Sequence, residues 1–123
     1  MALRGIRGAI TVSSNTKEDI WQAALQVITE ILSKNKLKAE QIGAAIFSST
    51  EDLTAAFPST GLRKLPVFSL VPLFDTREPA IENSLPMCIR LLLLVETDKK
   101  LRDICHVYLG DAKDLRPDLV NDN

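Results

Sequence analysis

The segment Cys88-Ile89-Arg90-Leu91-Leu92-Leu93-Leu94-Val95 constrains this chain more than any other, because its odd and even positions are both apolar. A β-strand sends alternate side chains to opposite faces, so such a run predicts a strand that must be covered on both. It is too short for a membrane helix, which needs about 18 apolar residues, and Arg90 interrupts it; no membrane association is expected. The rest of the chain offers two helical patterns, enough to cover one face of a sheet. A second copy of the chain is the economical cover for the other face and predicts a homo-oligomer; a monomer with an exposed apolar patch is the alternative.

Around that strand the order of elements can be read from periodicity. Arg4, Ile6, Gly8, Ile10 and Val12 alternate with Leu3, Gly5, Arg7, Ala9 and Thr11, which predicts a first strand. Asn15 with Glu18 three residues on resembles a capping box, and Ile20, Ala24, Val27, Ile28 and Ile31 form a helical stripe, so a helix is expected over 16–34. A short turn near Ala39 to Ile42 leads to a second strand at Ala44 to Phe47. Asp52 to Leu65 predicts a loop entering a shorter helix that carries Arg63 and Lys64; Leu70 to Phe74 predicts a third strand, Arg77 to Pro86 an ordered loop, and Ile104 to Leu109 the last strand. The order β-α-β-α-β-β-β predicts an α+β fold, a mixed sheet with two main helices on one face. One domain is expected over 1–123, with 120–123 as a flexible polar tail.

Composition narrows the function more by exclusion than by indication. Apolar residues at 46% and charged residues at 25% are those of a globular protein with a core, and exclude a disordered or coiled-coil chain. Fifteen Lys and Arg against sixteen Asp and Glu leave a formal charge of -1, so no nucleic-acid footprint is expected. The N-terminus lacks the apolar stretch of a signal peptide, which makes the cytosol the expected compartment and keeps Cys88 and Cys105 reduced. Two cysteines and one histidine without metal-ligand spacing predict no metal site.

Chemistry has to come from elsewhere, and the arginines stand out. Arg90 lies in the most apolar strand, where a guanidinium must be paired: with Glu96, Glu78 or Asp75 as a structural ion pair, or with an anionic ligand. Arg7 shares its strand face with the small Gly5 and Ala9, which favours a pocket beside it. Tyr108 and His106 share a face of the last strand and could enter one cavity or lie at a sheet edge. Left to local pattern alone, Glu78 is a solvated loop carboxylate and Arg116, before Pro117, a solvated surface residue. No catalytic triad, Gly-rich phosphate loop or paired-carboxylate motif is present. Arg7, Arg63, Arg90 and Arg116 together suit a small di-anion, because the planar guanidinium fork matches carboxylates in bidentate fashion.

Five segments, in order, carry a resemblance: Arg4-Gly5-Ile6-Arg7-Gly8-Ala9 with Thr11-Val12; Asp52-Leu53 with Ala55, Phe57, Pro58 and Arg63; Val71-Pro72-Leu73; Ser84-Leu85-Pro86 with Cys88-Ile89-Arg90; and His106-Val107-Tyr108-Leu109 with Leu115-Arg116-Pro117-Asp118-Leu119. From about Leu3 to Leu119 the chain resembles the monofunctional chorismate mutases of the Bacillus type, the AroH class. The resemblance implies three subunits forming a pseudo-barrel, active sites between subunits, and the rearrangement of chorismate to prephenate in phenylalanine and tyrosine synthesis, with no cofactor and no covalent intermediate. It implies that Arg90 donates to the ether oxygen and a carboxylate, Arg7 grips a carboxylate beside Tyr108, and Glu78 accepts from the ring hydroxyl. Phe74, Asp75, Thr76 and Arg77 would line one wall, Phe57 and Leu115 would give apolar cover, and Arg63 and Arg116 would ring the mouth. Thr60 stands where a basic residue is frequent, Phe74 where a smaller side chain is, and Asp75 where some members have cysteine; Arg77-Glu78-Pro79 and Glu82-Asn83-Ser84 also depart from the pattern. Two rivals stand beside this reading: a non-catalytic small-anion-binding trimer, and an enzyme like the Rid-type imine deaminases, whose interface sites also rely on an arginine.

Overall fold

A computed structural model describes residues 1–114. Five strands, β1 (Ala2–Thr11), β2 (Ile42–Ser49), β3 (Leu73–Arg77), β4 (Cys88–Thr97) and β5 (Val107–Leu109), form one sheet in the order β3-β2-β4-β1-β5. The central pairs β2·β4 and β4·β1 are antiparallel and the edge pairs β3·β2 and β1·β5 are parallel, so the sheet is mixed as expected. One α-helix, α1 (Lys17–Asn35), crosses one face.

The stripe on α1 buries as its spacing requires: Ile20, Ala24, Val27, Ile28 and Ile31 are all fully inaccessible. Burial of each Ile or Val contributes about 1.5–3 kcal/mol before entropy is counted. They pack on Ile6 and Ile10 of β1, Phe47 of β2 and Ile89, Leu91 and Leu93 of β4. The cap falls one residue later than the sequence suggests. Thr16 accepts the Asp19 amide through its hydroxyl at 3.2 Å, while Asn15 turns outward and its side-chain carbonyl accepts the amides of Thr54 and Ala55.

Only one of the two expected helices forms. Where a second was predicted, the chain makes two 3-10 turns, Pro58–Leu62 and Pro66–Phe68. Pro66 accounts for the break: its ring disfavours helical backbone at the preceding residue, and Leu65 is extended at φ -85 and ψ 121. The first turn lies so close to α1 that a Cβ on Gly61 would come within 2.9 Å of the Trp21 carbonyl oxygen. The third strand also begins later than predicted. Val71 is still turning, with its amide on the Phe68 carbonyl, and Leu70 is 94% exposed, so pairing with β2 starts at Leu73. The last strand is shorter at its start because Asn35 takes the place of a strand neighbour. Its buried amide donates to the Cys105 carbonyl at 2.9 Å and accepts the Cys105 N–H at 2.8 Å.

The sheet face away from α1 is barely covered. Register places Gly5, Arg7 and Ala9 of β1, Ala44, Ile46 and Ser48 of β2, and Arg90, Leu92 and Leu94 of β4 on it. Leu92, Leu94, Ala44 and Ile46 are half-buried, and Leu3 and Phe74 at its margins are 66% and 63% exposed. Among the described residues cover comes only at the β5 end, where Ala9, Cys88, Tyr108, Ala112 and Leu85 make a small second cluster at the turn Gly110–Asp114.

Candidate active site

Strand alternation and register bring four of the predicted residues to the open face. Ala9 of β1 lies opposite Arg90 of β4 and beside Tyr108 of β5, and Ser48 of β2 lies opposite Arg90 on its other side. Arg7, Arg90 and Tyr108 therefore share a face. Glu78 joins them because its amide donates to the Ser49 carbonyl at 2.9 Å, which carries the β3 pairing one residue past Arg77 and keeps the alternation. The partner of Arg90 is thereby decided: its Nε lies 2.8 Å from Glu78 Oε1, with the two side chains 28% and 13% exposed. The contact is an ion pair by distance and lacks the alignment of a hydrogen bond. Neither Glu96 nor Asp75 takes that role.

Tyr108 is 3% exposed, and its hydroxyl meets no hydrogen-bond partner among the described residues. A buried phenol without a partner is costly, typically about 1–3 kcal/mol, which marks the hydroxyl as one that a ligand would satisfy. The Arg7 guanidinium sits 5.9 Å from the Tyr108 ring centroid, a cation–π contact that orients both. His106 has a different task from Tyr108: its Nδ1 accepts the Arg7 backbone N–H at 2.9 Å and so fixes the β1–β5 junction. Cys88 is buried beside this group, and desolvation pushes its thiol above the ordinary value of 9.0, with Arg90 opposing the shift. Two arginines, one carboxylate and one buried hydroxyl thus lie on neighbouring strands of the open face.

A second group lies at the β3 edge. Phe57, Asp75, Thr76 and Arg77 line a cleft of about 500 Å³ with Leu53 and Pro58. Phe57 is 69% exposed, and its carbonyl accepts the Trp21 indole N–H at 3.2 Å. The expected wall of four consecutive residues is only partly formed: Asp75, Thr76 and Arg77 line the cleft, whereas Phe74 lies on the open side of the sheet and takes no part in it. Asp75 lines the cleft with its carboxylate already engaged by Ser59, and Arg77 Nη1 donates to the Thr50 carbonyl at 3.4 Å. Arg63 is exposed beyond the Pro58–Leu62 turn and lines neither group. Leu115 and Arg116, like the tail 120–123, lie outside the described residues. Within one chain the quartet and the cleft do not form one cavity.

Some supports were not visible in the sequence. Thr50 accepts the Cys88 N–H at 3.0 Å and donates to Asp52 Oδ1 at 2.6 Å, while the Asp52 carboxylate accepts the Met87 N–H. This knot fixes the start of β4 two residues before Arg90. Nothing in the local pattern links residue 50 to residue 88. Among the described residues no group of three His, Cys, Asp or Glu side chains is placed to hold a metal ion, and no helix is long and apolar enough to cross a membrane.

The family model for chorismate mutase type I matches residues 3–119 of this chain. The chain belongs to that family. It is 45% identical over 118 residues to Chorismate mutase AroH of Thermus thermophilus, covering 95% of this chain and 96% of the relative. It is 40% identical over 119 residues to Chorismate mutase AroH of Bacillus subtilis (strain 168), covering 97% and 94%. Among solved structures, a chorismate mutase from Clostridium thermocellum superposes with a TM-score of 0.86 at 40% identity, over 89% of this chain and 97% of that one. The resemblance read from five segments is thus borne out along nearly the whole chain, and the mixed sheet is that of a chorismate mutase.

Proposed function

We propose that this chain isomerises chorismate to prephenate, in the cytosol, at a site completed between the subunits of a homotrimer. One observation carries the site assignment: Arg7, Glu78, Arg90 and Tyr108 converge on the sheet face away from α1, beside the half-buried Ile46, Leu92 and Leu94. A second subunit laid on that face would bury Ile46, Leu92 and Leu94 and bring a Phe57 cleft to the quartet.

The chemistry suits these groups. A concerted [3,3] shift forms one carbon–carbon bond as one carbon–oxygen bond breaks, with no nucleophile and no proton transfer. The protein therefore acts by holding the compact chair-like conformer and by meeting charge as it develops. Arg90, held at Nε by Glu78, directs its guanidinium at the ether oxygen, where negative charge grows. Arg7 grips a carboxylate, and the Tyr108 hydroxyl donates beside it. Glu78 accepts from the ring hydroxyl and faces the ring fragment as that becomes positive. A fixed donor of this kind lowers the barrier by about 2.7–4 kcal/mol. The test is direct: purified protein should consume chorismate, followed by its absorbance, and yield prephenate stoichiometrically. Chorismate left untouched by folded protein would overturn the reading.

A further inference from the structure

Asp75 places a carboxylate in a cleft that, on the reading above, receives a di-anion, and such a charge would repel the ligand if it were free. It is not free. Oδ1 accepts the Ser59 backbone N–H at 3.1 Å and Oδ2 accepts the Ser59 hydroxyl, so both oxygens clasp one residue. Ser59 is 4% exposed and is the second residue of the Pro58–Leu62 turn, directly after Phe57. Phe57 is held on its other side by the Trp21 indole N–H from α1. The segment that carries the apolar wall is therefore suspended between β3 and α1 by two side chains.

We propose that Asp75 is a positioning residue: it fixes the Phe57 wall against β3, and so the width of the cleft, without touching substrate. The proposal rests on the chorismate mutase reading of the cleft. Charge-assisted bonds are stronger than neutral ones, so a carboxylate makes a firmer clasp here than an uncharged side chain. Its charge is spent on the turn, which leaves the cations of the quartet unopposed by it.

Trp21 is the only tryptophan, so its emission reports the position of Phe57 independently of turnover. In the full chain, Asp75→Ala should raise KM for chorismate about 5- to 20-fold with a smaller change in kcat, because an apolar wall binds ground and transition states alike. Trp21 emission should shift with it. Asp75→Asn can keep both bonds with the Ser59 hydroxyl reversed, and should stay within about 3-fold of wild type with wild-type emission. Ser59→Ala should move KM in the same direction, and combined with Asp75→Ala should add almost nothing, since the two share one clasp. Wild-type KM and emission in Asp75→Ala would overturn the proposal. So would equal losses in Asn and Ala, which would assign the charge itself to substrate. If Asp75→Ala does not fold, unchanged KM and emission in Ser59→Ala overturns it instead. If wild-type protein leaves chorismate untouched, the functional reading fails, and Trp21 emission alone decides whether Asp75 holds the turn.

Discussion

Arg90 is held at Nε by the Glu78 carboxylate, and on the proposed function the rest of its guanidinium meets the ligand. Lysine at this position would keep the charge and lose the planar fork, so Arg90→Lys should lower kcat by at least about two decades, measured as the initial rate of chorismate loss. Near-wild-type turnover would remove Arg90 from the mechanism. Its neighbour Cys88 makes a prediction about pH. Burial holds the thiol protonated in the folded chain above its ordinary value of 9.0, whereas the unfolded chain ionises there. The contribution to stability is therefore complete below that value and is lost as pH rises through the raised one. From about pH 9 upward the melting temperature of wild type should fall more steeply than that of Cys88→Ala; parallel curves would show that the thiol is not desolvated as described. The partner of Arg90 could not be chosen from sequence, where Glu78, Glu96 and Asp75 were equivalent. The choice came from a pairing extended by one hydrogen bond, Glu78 to Ser49, which is a tertiary fact.

At the scale of elements, α1 and the Pro58–Leu62 turn behave as one unit, because the turn is closely apposed to the helix backbone. A Cβ on Gly61 would lie 2.9 Å from the Trp21 carbonyl oxygen and 3.0 Å from its Cα, atoms that cannot swing aside. Gly61→Ala should destabilise the chain by about 1–3 kcal/mol in denaturant unfolding and change Trp21 emission in the native state. Unaltered stability would mean that the turn is free to lift from the helix. The helix itself was legible, since Ile20 to Ile31 carry a period that only a buried helix face explains. The turns were not. Leu62, Arg63, Lys64 and Leu65 mimic helical spacing, but Pro66 makes Leu65 extended. The start of β5 differs for another reason: Ile104 and Cys105 have strand composition, yet the Ile104 amide closes a turn on the Leu101 carbonyl and the Asn35 side-chain amide, 70 residues away, supplies the hydrogen bonds of Cys105.

For the whole molecule, the strand that opened the reading remains the strongest constraint. β4 is central, and its Ile89, Leu91, Leu93 and Val95 are buried against α1 as one face of an alternating strand should be. Its other face, Leu92 and Leu94 with Ile46 and Ala44, is left half-buried beside the exposed Leu3 and Phe74. The need for cover on both sides was legible without any knowledge of the fold; which surface would supply it was not, because one sequence does not encode the geometry of its copies. A largely apolar face that carries a cluster of polar and charged side chains is what a packed subunit boundary with an embedded polar site looks like. Light scattering should therefore give a mass of three times the 13.6 kDa chain. Leu94→Glu places a charge on this face far from the α1 core, so the chain should still fold, with α1 intact by circular dichroism. It should shift the mass toward one chain and lower activity by more than about tenfold, with partial recovery at high protein concentration by mass action. A wild-type monomer with full turnover would instead place the complete site within one chain, and the cleft at β3 and the quartet on the open face would have to act without each other.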